Sequence, residues 1–229
     1  MSSFEIFWNR VSNPDTAMSI LNGLKNTMII AVFGLLLGFI IGCILASVLI
    51  MPSNNIVAKV LKRIADLYIA VFRGTPMMVQ LLLMHFAVFA TVRIEPVVEV
   101  SLIFGFNSGA YMAEIIRSGI NAVDRGQMEA GRSLGMGYAA TMIRVVLPQA
   151  IKNVVPTIGN EFISLLKETS IVSAIGLADL TMVFKSIATA TYEYFIPYIA
   201  LALIYFVLVL IVTLIIKLLE RRFAKSEKR

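Results

Sequence analysis

The sequence predicts an all-α integral membrane protein, a bundle of five transmembrane helices with the amino end outside and the carboxyl end inside. Three observations carry that expectation. Of 229 residues 59% are apolar and only 15% charged, with a mean hydropathy of +0.86; in a soluble domain about a quarter are charged. The apolar residues come in long uncharged runs, where an outer-membrane barrel would show alternation. The remaining charges fall in basic segments that alternate with neutral or acidic ones. The same composition excludes a disordered chain and fits a soluble globule poorly. The single cysteine, Cys43, supports no disulfide framework or cysteine zinc site, and the single histidine, His85, removes most metal and histidine-base chemistry.

The chain reads as one transmembrane domain, 1–229. Its lead, 1–25, lacks a basic start, short apolar core and cleavage site, so it is not a signal peptide. It suits an interfacial segment with Phe4, Ile6, Phe7 and Trp8 toward lipid. The first span, about 26–51, contains 25 uncharged residues from Thr27 to Met51, more than the roughly 30 Å hydrocarbon core requires at about 1.5 Å per residue. Gly34, Gly38, Gly42 and Ala46 form a small-xxx-small row that admits another helix closely, inside the bundle or across a dimer. The second span, 74–92, starts at Arg73-Gly74-Thr75-Pro76, where proline breaks the first turn and Arg73 can snorkel to headgroups. His85 then sits within the membrane, as a hydrogen-bonded packing residue or a relay. Met77, Met78 and Met84 read as flexible packing. The third span, 97–117, carries Glu99 and Glu114. The fourth, 149–167, carries Lys152, Pro156 and Glu161 and is the least regular. The fifth, 195–217, includes 22 uncharged residues from Phe195 to Ile216.

Charge sets the orientation. Residues 1–25 are neutral, 52–73 carry net +3, 93–99 net −1, 117–152 net +3, 167–193 net −1 and 217–229 net +4. Basic loops stay in the cytoplasm, so the number of crossings is odd. With topology accounting for the +6 total, no nucleic-acid partner is required.

The long cytoplasmic loop, 118–148, is the most informative text. Glu129 to Leu134 reads as a short helix and Gly135 as its left-handed cap. A second piece runs from about Tyr138 to Val146, stopping near Pro148. Together they would form a knob able to dock in another protein's groove. Gly126-x4-Gly131-Arg132-Ser133 imitates a phosphate loop, but arginine replaces the required lysine and a helix precedes it where a strand should. The chain therefore shows no energy source of its own.

Glu129-Ala130-Gly131, then Gly135, then Val145-x-Leu147-Pro148 resembles the EAA motif, E-A-A-x3-G-x9-I-x-L-P, of the membrane subunits of ATP-binding-cassette importers. Gly131 and Val145 depart from the pattern for alanine and isoleucine. Phe72-Arg73-Gly74-Thr75-Pro76, Ala110 to Arg117 and Gly159 to Ser170 are similar to the polar-amino-acid branch of that family, and the resemblance covers about residues 20–220. It implies the type I importer membrane-subunit fold in a bacterial-type cell (inner) membrane. It implies pairing with a second permease subunit, as homodimer or heterodimer. Further implied partners are an ATP-binding-cassette ATPase subunit that binds magnesium-ATP, an extracytoplasmic amino-acid-binding protein and the lipid bilayer. The chain would be the non-catalytic subunit and hold no cofactor itself. Its ATPase-coupling residues would be Glu129, Ala130, Gly131, Arg132 and Gly135, with Glu129 and Arg132 placed to pair with each other or with the ATPase.

An amino acid zwitterion needs an acceptor for its ammonium and donors for its carboxylate. Asn160, Glu161 and Ser164 offer both, and a carboxylate at membrane depth normally faces a protein interior or a watery cavity. Asn107, Ser108 and Tyr111 from the third span and Gln80 from the second could face them. Glu114 reads as the partner of Arg117 at i, i+3. The alternative function is a self-sufficient secondary transporter or channel subunit, which broken helices and buried carboxylates would also suit; no inverted repeat is visible. A membrane enzyme would need a nucleophile–base or metal constellation that is not present.

Overall fold

A computed structural model describes residues 2–52 and 55–225, the side chains of 221–225 excepted. Of the carboxyl-terminal basic cluster expected at 217–229, the side chains of Lys217 and Glu220 are described; those of 221–225, and residues 226–229 entirely, are not. Every regular element is helical: α1 (Ser3–Val11), α2 (Pro14–Ile50), α3 (Ile56–Gly74), α4 (Met77–Leu83), α5 (Pro96–Asn121), α6 (Arg125–Ser133), α7 (Tyr138–Thr141), α8 (Leu147–Glu168), α9 (Leu180–Thr191) and α10 (Phe195–Lys225). π-helical turns extend α4 over Met84–Val88 and join α7 to α8 over Met142–Val146, and a 3-10 segment, Thr169–Ile175, leaves α8.

Short polar residues start the helices by accepting the otherwise unpaired N–H groups of the first turn. Ser2 forms a capping box with Glu5, and Asn13 accepts from Asp15 with Pro14 in the first turn. Asn55 accepts from Ala58, Asp124 from Gly126, and Asp179 from Thr181 and Met182.

Helix directions follow from which residues meet. Gly34 lies on Phe104, Gly38 on Ser108 and Gly42 on Met112. Both numbers rise together, so α2 and α5 run parallel and the chain must return between them through α3 and α4. Gly119 meets Val154 while Ser108 meets Glu161, so α8 runs against α5. Gly159 meets Ile216 while Thr169 meets Tyr205, so α10 runs against α8. The small-residue row thus serves packing inside the chain. The core at its centre joins Ile30, Leu81, Ile103, Phe104, Leu165 and Val172.

The return between α2 and α5 differs from the single helix expected over 74–92. The basic stretch 52–73 is itself mostly helix α3, carrying Lys59, Lys62 and Arg63 on one side and exposed Ile56, Val60, Ile64 and Leu67 on another. Its apolar period is interrupted by charges, which hid it from a search for uncharged runs. A 104° bend at Thr75-Pro76 separates it from Met77–Val88. Gln80 holds the bend: its Nε2 donates to the carbonyls of Phe72 (2.8 Å) and Thr75 (3.0 Å), and its Oε1 accepts from Asn107 Nδ2 at 2.9 Å. Leaving the buried amides of Gln80 and Asn107 unpaired would cost about 1–3 kcal/mol each.

Other boundaries also move. α2 starts at Pro14, well before its uncharged run. Pro148 does not end the helix: the π-helical turn Met142–Val146 carries α7 on into α8, which includes Pro148 in its first residues. α8 passes straight through Pro156. In α1, Phe7 turns inward onto Phe184 and Leu201, away from the lipid side expected for it, while Phe4 and Trp8 stay exposed. Among the described residues α2 and α10 are long and apolar enough to cross a membrane. The number rises to four if the bent pairs Ile56–Gly74 with Met77–Val88 and Tyr138–Ile175 with Leu180–Thr191 each make one span.

Candidate functional site

The motif-bearing segment folds as a knob at the carboxyl ends of α2 and α5. Asp124 caps α6, and Gly135, at φ +84, ends it in the left-handed region that a side chain would strain. The Met136 N–H returns to the Gly131 carbonyl at 3.1 Å. Ile120, Val123, Val146 and Ala150 form the base with Met128 and Met142 packed on them. Tyr138 Oη donates to the Ile50 carbonyl at 3.4 Å and so ties the knob to the end of α2.

Of the five coupling candidates, Glu129, Ala130, Arg132 and Gly135 are exposed and Gly131 is buried. Glu129 and Arg132 form no ion pair with each other among the described residues. A Cβ at Gly131 would collide with Thr141 Cγ2, which accounts for glycine where the motif has alanine. Gly131→Ala is therefore expected to destabilise the chain, by about 1–3 kcal/mol for overpacking of this kind. Adding Thr141→Ser should recover most of that loss, because it removes the obstructing methyl and keeps the hydroxyl that donates to the Gly137 carbonyl. Thermal unfolding in detergent reads both; equal midpoints for the single and double variants would refute the contact. Sequence reasoning passed over Leu134, which is 84% exposed at the tip of the knob. Its signal was a large apolar residue at the end of a mostly polar helix, immediately before the capping glycine.

The seven substrate-path candidates divide into three sets. Ser108 Oγ donates to Glu161 Oε1 at 3.1 Å, joining α5 to α8. Ser164 is half-buried one turn further along α8, and Asn160 is exposed. Gln80 and Asn107 are buried and bonded to each other and to the bend carbonyls, so their polar capacity is already engaged. Tyr111 is half-buried under the Arg73 guanidinium, 5.3 Å from its ring centroid, a cation–π distance. Arg73 in turn lies 4.0 Å from Glu114, which takes the expected bond from Arg117 at 2.5 Å. His85 Nδ1 meets buried Glu99 at 2.7 Å, close to the start of α5; the packing-residue reading of the histidine fits this contact. A cavity of about 510 Å³ opens at the other end of the bundle, lined among others by Arg10, Asp15, Asn22 and Ser186.

The family described as "Binding-protein-dependent transport system inner membrane component" matches residues 34–225. The arginine transport system permease protein ArtQ of Bacillus subtilis is 41% identical over 210 residues, 91% of this chain and 94% of that one. A crystal structure of an amino acid ABC transporter with histidines superposes with a TM-score of 0.84 at 42% identity, over 93% of this chain and 98% of that one. The MetNI methionine ABC transporter in an inward-facing conformation gives a TM-score of 0.76 over 92% and 98%, at 18% identity, a likeness of fold.

Proposed function

The chain belongs to the family of binding-protein-dependent transport system inner membrane components, and from that premise we propose that it is the permease subunit of an ATP-binding-cassette importer bringing a polar amino acid into the cytoplasm. The amino-acid substrate rests on its likeness to the arginine permease and to the transporter crystallised with histidines. The observation that carries the mechanism is the knob: a compact, mostly polar protrusion with one bare leucine at its tip, joined directly to the long helices of the bundle.

The fold suits five crossings. α2, α5 and α10 share one direction, and α3–α4 and α8 return between them. α5, with its three charges, would be the fifth crossing beside the two apolar helices and the two bent pairs. The basic segments at 52–73 and 117–152 put the knob end in the cytoplasm and the amino end outside. A separate ATPase subunit binds magnesium-ATP and grips the knob through Glu129, Ala130, Arg132 and Gly135, with Gly131 setting the spacing of α6 on α7. Closure of that ATPase moves α6 as a lever on α5 and α8. A second permease subunit, identical or related, completes the path, and an extracytoplasmic binding protein delivers the amino acid to it.

Glu161, with Ser108, Ser164 and Asn160, supplies the polar surface of that path, and Tyr111 with Arg73 lies beside it. Gln80 and Asn107 act indirectly, by fixing the bend. Glu161→Gln keeps the acceptor for Ser108 but removes the charge. It is expected to lower uptake at least about tenfold, the value of one lost charge-assisted contact of roughly 1.5–3 kcal/mol, without loss of ATPase binding. Wild-type uptake kinetics in this variant would take Glu161 off the path. The function as a whole is tested by reconstituting the chain with its ATPase and binding protein in vesicles. Amino acid uptake should require ATP, and uptake by the chain alone would establish the secondary-transporter alternative instead.

A further inference from the structure

The geometry points to an aromatic collar, built jointly by α1 and the α9–α10 turn, that seats in the headgroup layer of the bilayer at the end of the bundle opposite the knob. It concerns how the subunit sits in lipid and stands whatever the chain carries. α1 precedes residues 34–225, to which the family match is confined, so family membership gives it no task.

α1 is short and anchored inward on one side. Phe7 is 8% exposed and packs with Leu180, Phe184 and Leu201, and Val11, one turn on, packs against the same cluster, fastening the helix to α9 and α10. Phe4 and Trp8, one turn apart, lie on the flank beside Phe7 and are turned outward. They stack at 6.3 Å with 13° between ring planes, and both are more than half exposed. A second aromatic pair stands at the same end: Tyr194 and Tyr198 stack at 6.4 Å, and Tyr192 and Phe195 beside them are exposed. A hydrogen bond from Ser3 Oγ to Glu193 Oε1, 2.9 Å long, joins the two groups across 190 positions of sequence. Tyr192 also sits at φ +54, the one non-glycine residue with positive φ among those described. A tyrosine there is strained, by on the order of 1 kcal/mol or more. The residue ends α9 and turns the chain into α10 with its ring outward.

Six exposed aromatic rings in water would be an unusual surface for a soluble partner-free end. Here they continue into the flank of α10, where Ile199, Leu203 and Phe206 are exposed in a span only 11% buried. The occupant of that flank is lipid, and the collar borders it. Four of the six rings carry a phenol or indole group, the chemistry that prefers the boundary of acyl chain and water. Glu5, Asn9 and Arg10 are exposed on α1 and give it a polar side for water. α1 therefore lies along the interface as a float and holds the amino end of α2 at a fixed depth.

Trp8 is the only tryptophan in the chain, so its fluorescence reports this position without a substitution. The full chain is reconstituted in phosphatidylcholine–phosphatidylglycerol nanodiscs with a tryptophan-free scaffold, with lipids spin-labelled either near the headgroup or at the acyl-chain end, and with iodide as aqueous quencher. Headgroup-proximal label should quench Trp8 several-fold more than chain-end label, and iodide only weakly. Strong iodide quenching without lipid quenching would place α1 in water, and dominant chain-end quenching would bury it in the hydrocarbon. Protection from all three quenchers would mean that protein, a second copy included, covers the collar. Each of these three results overturns the proposal. Uptake in the reconstituted importer is measured separately, and normal uptake with any of them would leave the transport function intact.

Discussion

Gly42→Leu is expected to reduce the amount of chain in the membrane by more than about tenfold and to lower the thermal midpoint of whatever remains. α2 and α5 approach through a row of small residues. At Gly42 a new Cβ would overlap Met112 Cβ and stand 2.9 Å from the Met112 carbonyl carbon and 3.0 Å from the Ala113 nitrogen. Backbone cannot step aside as a side chain can, so the two helices must part along a contact that holds Phe104, Ile30 and Ile103 in the core. Overpacking a core typically costs about 1–3 kcal/mol. Separating two helix backbones belongs at or above the top of that range, in a protein whose whole stability is on the order of 5–15 kcal/mol. Two comparisons make the effect specific. Gly105→Ala meets Leu37, whose Cδ2 and Cγ a rotamer change can clear but whose Cβ, 2.8 Å away, it cannot; with no backbone atom among its nearest contacts it should cost stability, though less than Gly42→Leu. Gly74→Ala meets nothing within 4 Å and should leave accumulation unchanged. Immunoblots of the membrane fraction rank the three; a Gly42→Leu chain that accumulates like the parent would contradict this helix contact.

That row shows why part of the fold was legible in the sequence. Gly34, Gly38, Gly42 and Ala46 state through spacing that something comes close, and long uncharged runs state where lipid is. Neither can say what comes close. Its identity as α5, parallel to α2, emerges only when Phe104, Ser108 and Met112 are found opposite. α3 was missed for the converse reason: Lys59, Lys62, Arg63 and Asp66 interrupt its apolar period, and only a helical projection separates its charged and apolar sides. Pro76 and Pro156 carry the same local signal and have different outcomes. The first lies where Gln80 and Asn107 satisfy the freed carbonyls of a bend, and the second lies within a helix packed at both ends.

The candidate path was legible by residue type more than by role. Gln80, Asn107, Ser108 and Glu161 are polar in apolar surroundings, and the fold does join them in pairs. Sequence could not distinguish Gln80 and Asn107, which spend their hydrogen bonds on the bend, from Glu161, whose carboxylate is hydrogen-bonded to Ser108 alone among the described residues. The difference lies in partners 27 to 53 positions away. In the knob, the motif fixed attention on Gly131 as a contact surface, whereas its buried Cα faces Thr141, ten residues on, and serves the shape of the knob.

Leu134→Asp is the sharpest probe of that shape at work. Leu134 caps the carboxyl end of α6 one turn after Ala130, so the two share a face, and it projects 84% exposed beside Arg132, Ser133 and Gly135. An isolated apolar side chain held out by a left-handed glycine is costly to no one in the free subunit, but in a cleft of the ATPase it gains about 1.5–3 kcal/mol by burial. Aspartate forfeits that gain and adds the expense of desolvating a carboxylate. Affinity for the ATPase subunit should therefore fall by a factor on the order of 100 or more, each 1.4 kcal/mol being tenfold. ATP-driven uptake should fall with it. Folding should not suffer, because so exposed a side chain supports little within the knob, and an unchanged thermal midpoint would show this. Arg132→Ala, which removes a charge from the same surface, should weaken binding less and in a salt-dependent manner. Co-purification of the ATPase with each variant, at low and high salt, separates the apolar anchor from the charged rim. If the Leu134→Asp chain retained both its ATPase and its uptake, the grip would have to lie elsewhere than the tip of α6.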